Sequence, residues 1–80
     1  MTNVNIVIAN KVRGVAAEKR FNQKHVAEAL TLSRTSVADR YSGRIPFTGP
    51  ELMRLAVTFD VPIERLFPEV LNVTNMEAAS

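Results

Sequence analysis

The sequence contains no cysteine and no tryptophan, and its only histidine is His25. Without cysteine there is neither a disulfide framework nor a thiolate zinc site, and one histidine does not make a multi-histidine metal site. No hydrophobic run approaches the length of a membrane-spanning helix. The short apolar run at residues 4–9 also lacks the basic leader of a signal peptide. We therefore expect a cytoplasmic protein with no metal and no membrane contact.

A catalytic apparatus is also missing from the sequence. His25 has no serine or aspartate at a spacing typical of a catalytic triad. There is no glycine-rich phosphate loop. Aromatic residues make up only 6% of the chain, so it lacks the stacking platform that single-stranded nucleic acids need. The expectation is a protein that is not an enzyme and uses no cofactor or small-molecule ligand.

What the sequence does have is an uneven distribution of charge. The net charge is only +2 over 80 residues. Residues 19–48 nevertheless carry six lysines and arginines against two carboxylates, whereas residues 49–80 carry two against five. The first segment would attract a polyanion and the second would repel it. A solvated surface with a chance asymmetry explains the charge alone equally well.

Three positions share a pattern that starts a helix. The capping residues are Asn22, Ser33 and Thr48, and each lies between an apolar residue and a second one four positions later. This is the hydrophobic staple, which fixes where a helix begins. Glu51 completes a capping box with Thr48, and Pro50 suits the first turn because its missing N–H has no helical partner there. Three helix starts are therefore predicted.

Glycine and proline mark where helices end. Gly43 is predicted to close the second of these helices in a left-handed conformation, and Pro46 prevents its continuation. Pro62 reads as the first residue of a last short helix, which Pro68 stops. The helix that follows Thr48 is predicted to run over about residues 49–59.

A longer helix precedes Phe21, and we interpret Gly14 within it as a point of close helix packing. The predicted fold is all-α, with five helices in a domain of residues 1–68 and a tail at residues 69–80. The expected core consists of Ile8, Val12, Val15, Phe21, Val26, Ala27, Leu30, Leu32, Val37, Tyr41, Phe47, Leu52, Leu55, Ala56, Phe59, Leu66 and Phe67.

Residues 22–44 are the most informative segment, because they predict two short helices joined by a tight turn. Ala27 is small enough to let the second helix approach the first, as in a helix-turn-helix. With a helix before it and two after it, this pair resembles the Xre-like family of phage lambda repressor and Cro-type DNA-binding domains. The resemblance covers about residues 8–67 and is carried by Asn22, Gln23, Val26, Ala27, Leu30, Leu32, Ser33, Arg34, Val37, Gly43, Arg44 and the run at residues 60–67.

The resemblance implies a lambda-repressor-like domain that binds double-stranded DNA at an operator as a homodimer, with the helix at residues 34–41 in the major groove. Arginine is suited to that role because it donates two hydrogen bonds to guanine, and threonine because it offers its methyl group to thymine. The implied base contacts are Ser33, Arg34, Thr35, Ala38 and Asp39. The expected phosphate contacts are Gln23, Lys24, Ser36, Arg40 and Arg44.

Two residues depart from the family pattern. Thr31 stands where the family usually has glycine, and a β-branched residue is poorly suited to positive φ. Either the turn has different dihedral angles here or it carries strain. Arg40 stands where an apolar residue is common, and Tyr41 is expected to supply the buried contact instead. We therefore expect the recognition helix to be rotated slightly about its axis.

The expected function is transcriptional regulation by a nucleoid-associated protein, in its narrower form a phage or prophage repressor or a Cro-like protein. The tail at residues 69–80 is the candidate dimerisation segment, and the alternative is that it is simply frayed. The competing class is a protein-interaction module. It would be an antitoxin or an adaptor that uses the acidic final third of the chain.

Overall fold

The structure is a computed structural model that describes residues 3–68. Helix α1 spans Val4–Glu18, α2 spans Gln23–Leu30, α3 spans Arg34–Tyr41 and α4 spans Gly49–Phe59, and a 3₁₀ helix spans Ile63–Leu66. These residues include no strand. The all-α class is therefore confirmed, but the count of five helices is not, because the described residues form four α-helices and one 3₁₀ helix.

The last element is a 3₁₀ helix because it is too short for an α-helix. The flanking residues Pro62 and Phe67 are both extended, so only four residues have helical geometry. The backbone N–H of Arg65 donates to Pro62 O at 3.1 Å, and that of Phe67 donates to Glu64 O at 3.2 Å. These are bonds between residues three apart, which is how short helical segments close.

Each α-helix begins at a side-chain cap. The predicted caps Asn22, Ser33 and Thr48 accept a hydrogen bond from the backbone N–H three residues later, at 2.9, 3.1 and 3.2 Å. Helix α1 begins at Asn3, whose side chain accepts the backbone N–H of Asn5 at 2.9 Å. These side chains occupy N–H groups that have no partner within the helix. The three helix starts predicted from the sequence are therefore confirmed.

Each α-helix also ends in the same way, at a residue with positive φ. These residues are Arg20 at 63°, Thr31 at 57°, Gly43 at 82° and Asp60 at 58°. The next residue in each case donates its N–H to a carbonyl five positions back, at 2.7 to 3.0 Å. This is the Schellman closure. The left-handed conformation predicted at Gly43 is confirmed. Of the two alternatives predicted for Thr31, different dihedral angles or strain, its positive φ matches the strained one.

The hydrophobic core lies where all five elements meet. Every residue expected in the core is either buried or packed against the buried cluster. Two buried residues of α1, Ala9 and Ala16, were not predicted. They flank Val12 at three and four positions, so the buried face of α1 is rotated from Ile8 towards Ala9. The largest fully buried side chains are those of Phe59, Leu55, Leu66, Val12, Val26 and Val37.

Gly14 is not a point of close helix packing, which corrects the sequence interpretation. It is exposed, and a Cβ atom placed there would meet no heavy atom within 4 Å. The close approach occurs at Gly43 instead. A Cβ atom at Gly43 would collide with the side chain of Ile6 and lie 3.4 Å from its backbone nitrogen. Helix α1 therefore passes directly over the end of α3, and only glycine fits between them.

Candidate nucleic-acid interface

Helices α2 and α3 are joined by the three-residue turn at residues 31–33, and α3 packs against both α2 and α1. Within α3 only Val37 is fully buried. Tyr41 packs partly against the core and lies 6.3 Å from Phe47 between ring centroids. The opposite side of α3 is left facing solvent, where another molecule can reach it.

The residues expected to contact bases lie along this outward side. Arg34, Thr35 and Ala38 are exposed, and Asp39 is half-buried. Ser33 is also exposed, but its hydroxyl already has two partners. It accepts from the backbone N–H of Ser36 at 3.1 Å and donates to the Ser36 hydroxyl oxygen at 3.0 Å. Of these five residues, Arg34 and Thr35 are exposed and carry side-chain hydrogen-bond donors that are not engaged in capping α3.

The residues expected to contact phosphates fall into two groups. Lys24 is exposed, and the Arg44 side chain is 78% exposed. The guanidinium of Arg44 lies 3.9 Å from an oxygen of Asp39, which is too far for a hydrogen bond. Gln23, the first residue of α2, and Ser36 are both half-buried. Lys24 and Arg44 therefore supply accessible positive charge beside α3.

Arg40 has a different environment from the other expected phosphate contacts. Its Nε and Nη2 donate to the two carboxylate oxygens of Glu51 at 3.0 and 3.1 Å. Its Nη1 donates to the backbone oxygen of Ser36 at 3.2 Å. The Arg40 side chain is only 13% exposed and that of Glu51 17%. The guanidinium of Arg40 therefore joins α3 to α4.

The carboxylate of Glu51 has a second role, at the start of α4. Its Oε1 accepts the backbone N–H of Thr48 at 3.0 Å, which completes the predicted capping box. Burial alone would raise the pKa of Glu51, but the hydrogen bonds from Arg40 and Thr48 and the charge of Arg40 outweigh it. The pKa of Glu51 is therefore held below its ordinary value of 4.5. The sequence indicated the cap but not the ion pair.

His25 has a structural role that the sequence interpretation missed. Its Nδ1 accepts the backbone N–H of Asn22 at 3.2 Å, so the pair forms a capping box at the start of α2. The imidazole also meets Phe21 edge-on, with 5.8 Å between ring centroids. Glutamate or glutamine usually fills this position of the box. The signal was the spacing Asn-x-x-His after a staple residue.

Residues 3–68 carry neither a metal-binding cluster nor a membrane-spanning helix. No group of three or more histidine, cysteine, aspartate or glutamate side chains is arranged there to hold a metal ion. None of the helices in that range is long and apolar enough to cross a bilayer.

An exposed short helix, held by a preceding helix across a tight turn, defines the helix-turn-helix class of domain. Among solved structures, the chain is similar to the restriction-modification controller protein C.AhdI from Aeromonas hydrophila, with a TM-score of 0.70 and 21% sequence identity. The likeness covers 79% of this chain and 96% of that one. Comparisons with protein-family models and with curated proteins give no match. The resemblance predicted from the sequence is thus confirmed at the level of the fold.

Proposed function

We propose that this chain is a transcriptional regulator that binds double-stranded DNA and reads its sequence with the outward face of α3. The observation that carries the proposal is the exposure of Arg34 and Thr35 at the start of a helix that a helix-turn-helix presents to solvent. A helix of this size fits the major groove, where base pairs differ in their donors and acceptors. Lys24 and Arg44 add positive charge for the flanking phosphates.

The neighbour in structure is a restriction-modification controller protein, which supports a regulatory role of the same general kind. The sequence resemblance favours a narrower assignment, namely a phage or prophage repressor or a Cro-like protein. Phage repressors of this family and Cro-like proteins are small regulators with this fold. We therefore propose the regulator class, with the phage assignment as its narrower form, in a nucleoid-associated location.

We further propose that the protein binds its operator as a homodimer. One recognition helix reads only a few base pairs, whereas two copies related by a two-fold axis double the contacts. They also place the two helices about one DNA turn apart, roughly 34 Å. The tail at residues 69–80, which the sequence suggested as the dimerisation segment, lies outside the described residues.

Within the described residues, α4 offers a surface for a second copy. Met53 and Val57 are 61% and 82% exposed and lie one helical turn apart on the same side of α4. If two α4 helices pack antiparallel with the two-fold axis at Val57, the Met53 and Val57 side chains of both copies are removed from water together. Burial of apolar side chains that are otherwise exposed supports the second copy as the occupant of the surface.

The decisive experiment is a selection from duplex DNA with a randomised core, followed by binding measurements on the selected site and on mixed-sequence duplex. Arg34→Ala should weaken binding to the selected site by about 1–3 kcal/mol and relax preference at one base pair. Lys24→Ala and Arg44→Ala should weaken all sequences alike and lower the salt slope by about one unit each. Equal weakening of both duplexes by Arg34→Ala would contradict base reading by Arg34.

The alternative function is a protein-interaction module such as an antitoxin or an adaptor. It predicts that selection enriches no sequence and that binding to mixed-sequence duplex is undetectable at moderate salt. The acidic residues after position 49 would then contact the partner. The selection therefore separates the two functions before any variant is made.

A further inference from the structure

Few fully buried contacts fix the orientation of α3. The helix has eight residues, and within it only Val37 is fully buried. A short helix with one buried side chain can roll about that contact, and the outward residues would move with it. A second anchor further along the helix, in addition to the partial packing of Tyr41, would oppose this movement. Arg40, three residues after Val37, is placed to provide one.

A chain of hydrogen bonds leads from the start of α4 to the start of α3. The backbone N–H of Thr48 donates to Glu51, which also receives two hydrogen bonds from Arg40. Arg40 donates in turn to the backbone oxygen of Ser36. Ser36 is linked both by its backbone N–H and by its hydroxyl to the cap residue Ser33. The chain ends beside Arg34, the first residue of the outward face.

We propose that Arg40 and Glu51 are positioning residues that set the angle at which α3 presents its outward face to DNA, an inference that rests on the proposed function. Two parallel hydrogen bonds between a guanidinium and a carboxylate fix both distance and direction. The low exposure of the pair keeps water from competing for these bonds. Neither side chain needs to touch DNA for the pair to influence sequence preference.

The sign of the charge on Glu51 makes this proposal testable. Glu51 is an anion, so its removal should strengthen the general attraction of the protein for DNA. A positioning role predicts that the same change weakens sequence preference. General affinity and sequence preference therefore change in opposite directions, which a loss of folding would not produce.

The test compares Arg40→Met, Arg40→Lys and Glu51→Gln with the unaltered protein. The probes are the duplex selected from a randomised core and a mixed-sequence duplex of the same length, each titrated over a range of salt. Circular dichroism and thermal unfolding report whether each variant is folded. If Arg40→Met does not fold, Arg40→Lys retains the positive charge but loses the two-point contact, so the question stays open to experiment.

The chain offers a matched control in the pair formed by Glu18 and Arg65. Arg65 also donates two hydrogen bonds to a carboxylate, at 3.0 and 2.9 Å, but this pair joins α1 to the 3₁₀ helix. Glu18→Gln and Arg65→Met make the same charge changes away from α3. They should leave sequence preference unchanged.

We expect Arg40→Met and Glu51→Gln each to lower the ratio of selected-site to mixed-sequence affinity by at least about fivefold, the equivalent of one weak base contact. Arg40→Lys should give a smaller loss. The salt slope on mixed-sequence duplex should not change for Arg40→Lys or Arg40→Met. A slope lowered by about one unit in Arg40→Met would instead identify a direct phosphate contact and overturn the proposal.

An unchanged ratio in folded Arg40 and Glu51 variants would also overturn it, and so would an equal loss in the Glu18 and Arg65 controls. If the unaltered protein enriches no sequence, the proposed function fails and this inference fails with it. The two failures are distinguishable because the second requires no variant.

Discussion

Within residues 3–68, three of the four α-helices are closed by residues that have a side chain in the left-handed conformation. Arg20, Thr31 and Asp60 have φ values near 60°, and only Gly43 is glycine. A non-glycine residue loses roughly 1–2 kcal/mol in this conformation, and a β-branched residue such as Thr31 is the least suited. The strain lies in the native fold, because the unfolded chain is free to avoid it.

Replacing Thr31 with glycine should therefore stabilise the fold. The strain that is relieved exceeds the extra backbone entropy of glycine by about 0.5–1 kcal/mol. Urea unfolding monitored by circular dichroism measures the change in free energy of unfolding. The matched control is Ala17→Gly, at an exposed helical position, which should destabilise by about 1 kcal/mol. Destabilisation by both substitutions would mean that the turn has no strain to relieve.

Gly14→Ala is expected to stabilise the protein by about 1 kcal/mol. Gly14 is an exposed residue within α1, and a Cβ atom there has open space around it. Alanine has a higher helix propensity than glycine because it loses less backbone entropy on folding. Gly43→Ala provides the contrast, since both its positive φ and the side chain of Ile6 oppose a Cβ atom. A rise in melting temperature for Gly14→Ala and a fall for Gly43→Ala are the expected pair of results.

Among the helices, the link between α3 and α4 makes the stability depend on pH. The pKa of Glu51 is lowered in the fold, so its contribution is present above the ordinary value of 4.5 and is lost as the pH falls through the folded value. The destabilisation caused by Arg40→Met, about 1–3 kcal/mol near neutral pH, should therefore shrink in acid. Urea unfolding of both proteins from pH 7 down to pH 3 measures it. A difference that stays constant with pH would show that the ionisation of Glu51 does not contribute to the link.

The helix starts were predictable from the sequence, whereas the link between helices was not. A cap such as Ser33 bonds within its own first turn, so three or four consecutive residues decide it. The partner of Arg40 is eleven residues away, and the two meet only because the folded chain brings α3 and the start of α4 together. The sequence did show that Arg40 stands where the family commonly has an apolar residue. A cation there needs a nearby anion, and that rule was the available signal.

Packing also determined which face of α1 is buried and whether the last helix is an α-helix or a 3₁₀ helix. Ala9 and Ala16 were missed because small residues carry little hydrophobic signal, although both are buried. Gly14 was assigned a packing role instead, although it lies on the exposed side. The final helix was correctly placed between prolines. Its 3₁₀ form follows from having only four residues of helical geometry.

For the molecule as a whole, α4 and the tail at residues 69–80 are the two candidate surfaces for joining two copies. Val57→Lys places like charges across the proposed α4 surface and should abolish the dimer if α4 forms it, with little effect on the fold because Val57 is 82% exposed. Sedimentation with and without the selected duplex measures whether the protein is a monomer or a dimer. The matched control is Ala17→Lys, an equal change of charge at an exposed position of α1.

Deletion of residues 69–80 tests the other candidate. If the tail joins the copies, the shortened protein should keep its fold and its weak binding to mixed-sequence duplex but lose most of its operator affinity. A shortened protein that dimerises and binds a two-fold operator at full affinity would exclude the tail. A full-length protein that stays monomeric on the operator would exclude the dimer itself.

The repeated closure of the helices has a consequence for the order of events in folding. Each closure spans six residues, so it forms as soon as its own helix forms and needs no distant partner. If a closure is already formed in the transition state for folding, relieving its strain speeds folding. If the closure forms only after the transition state, relieving its strain slows unfolding. The folding and unfolding rates of Thr31→Gly and Asp60→Gly, measured by stopped flow, would therefore report when each closure forms. Together they would show whether the turn of the motif is built before or after the end of α4.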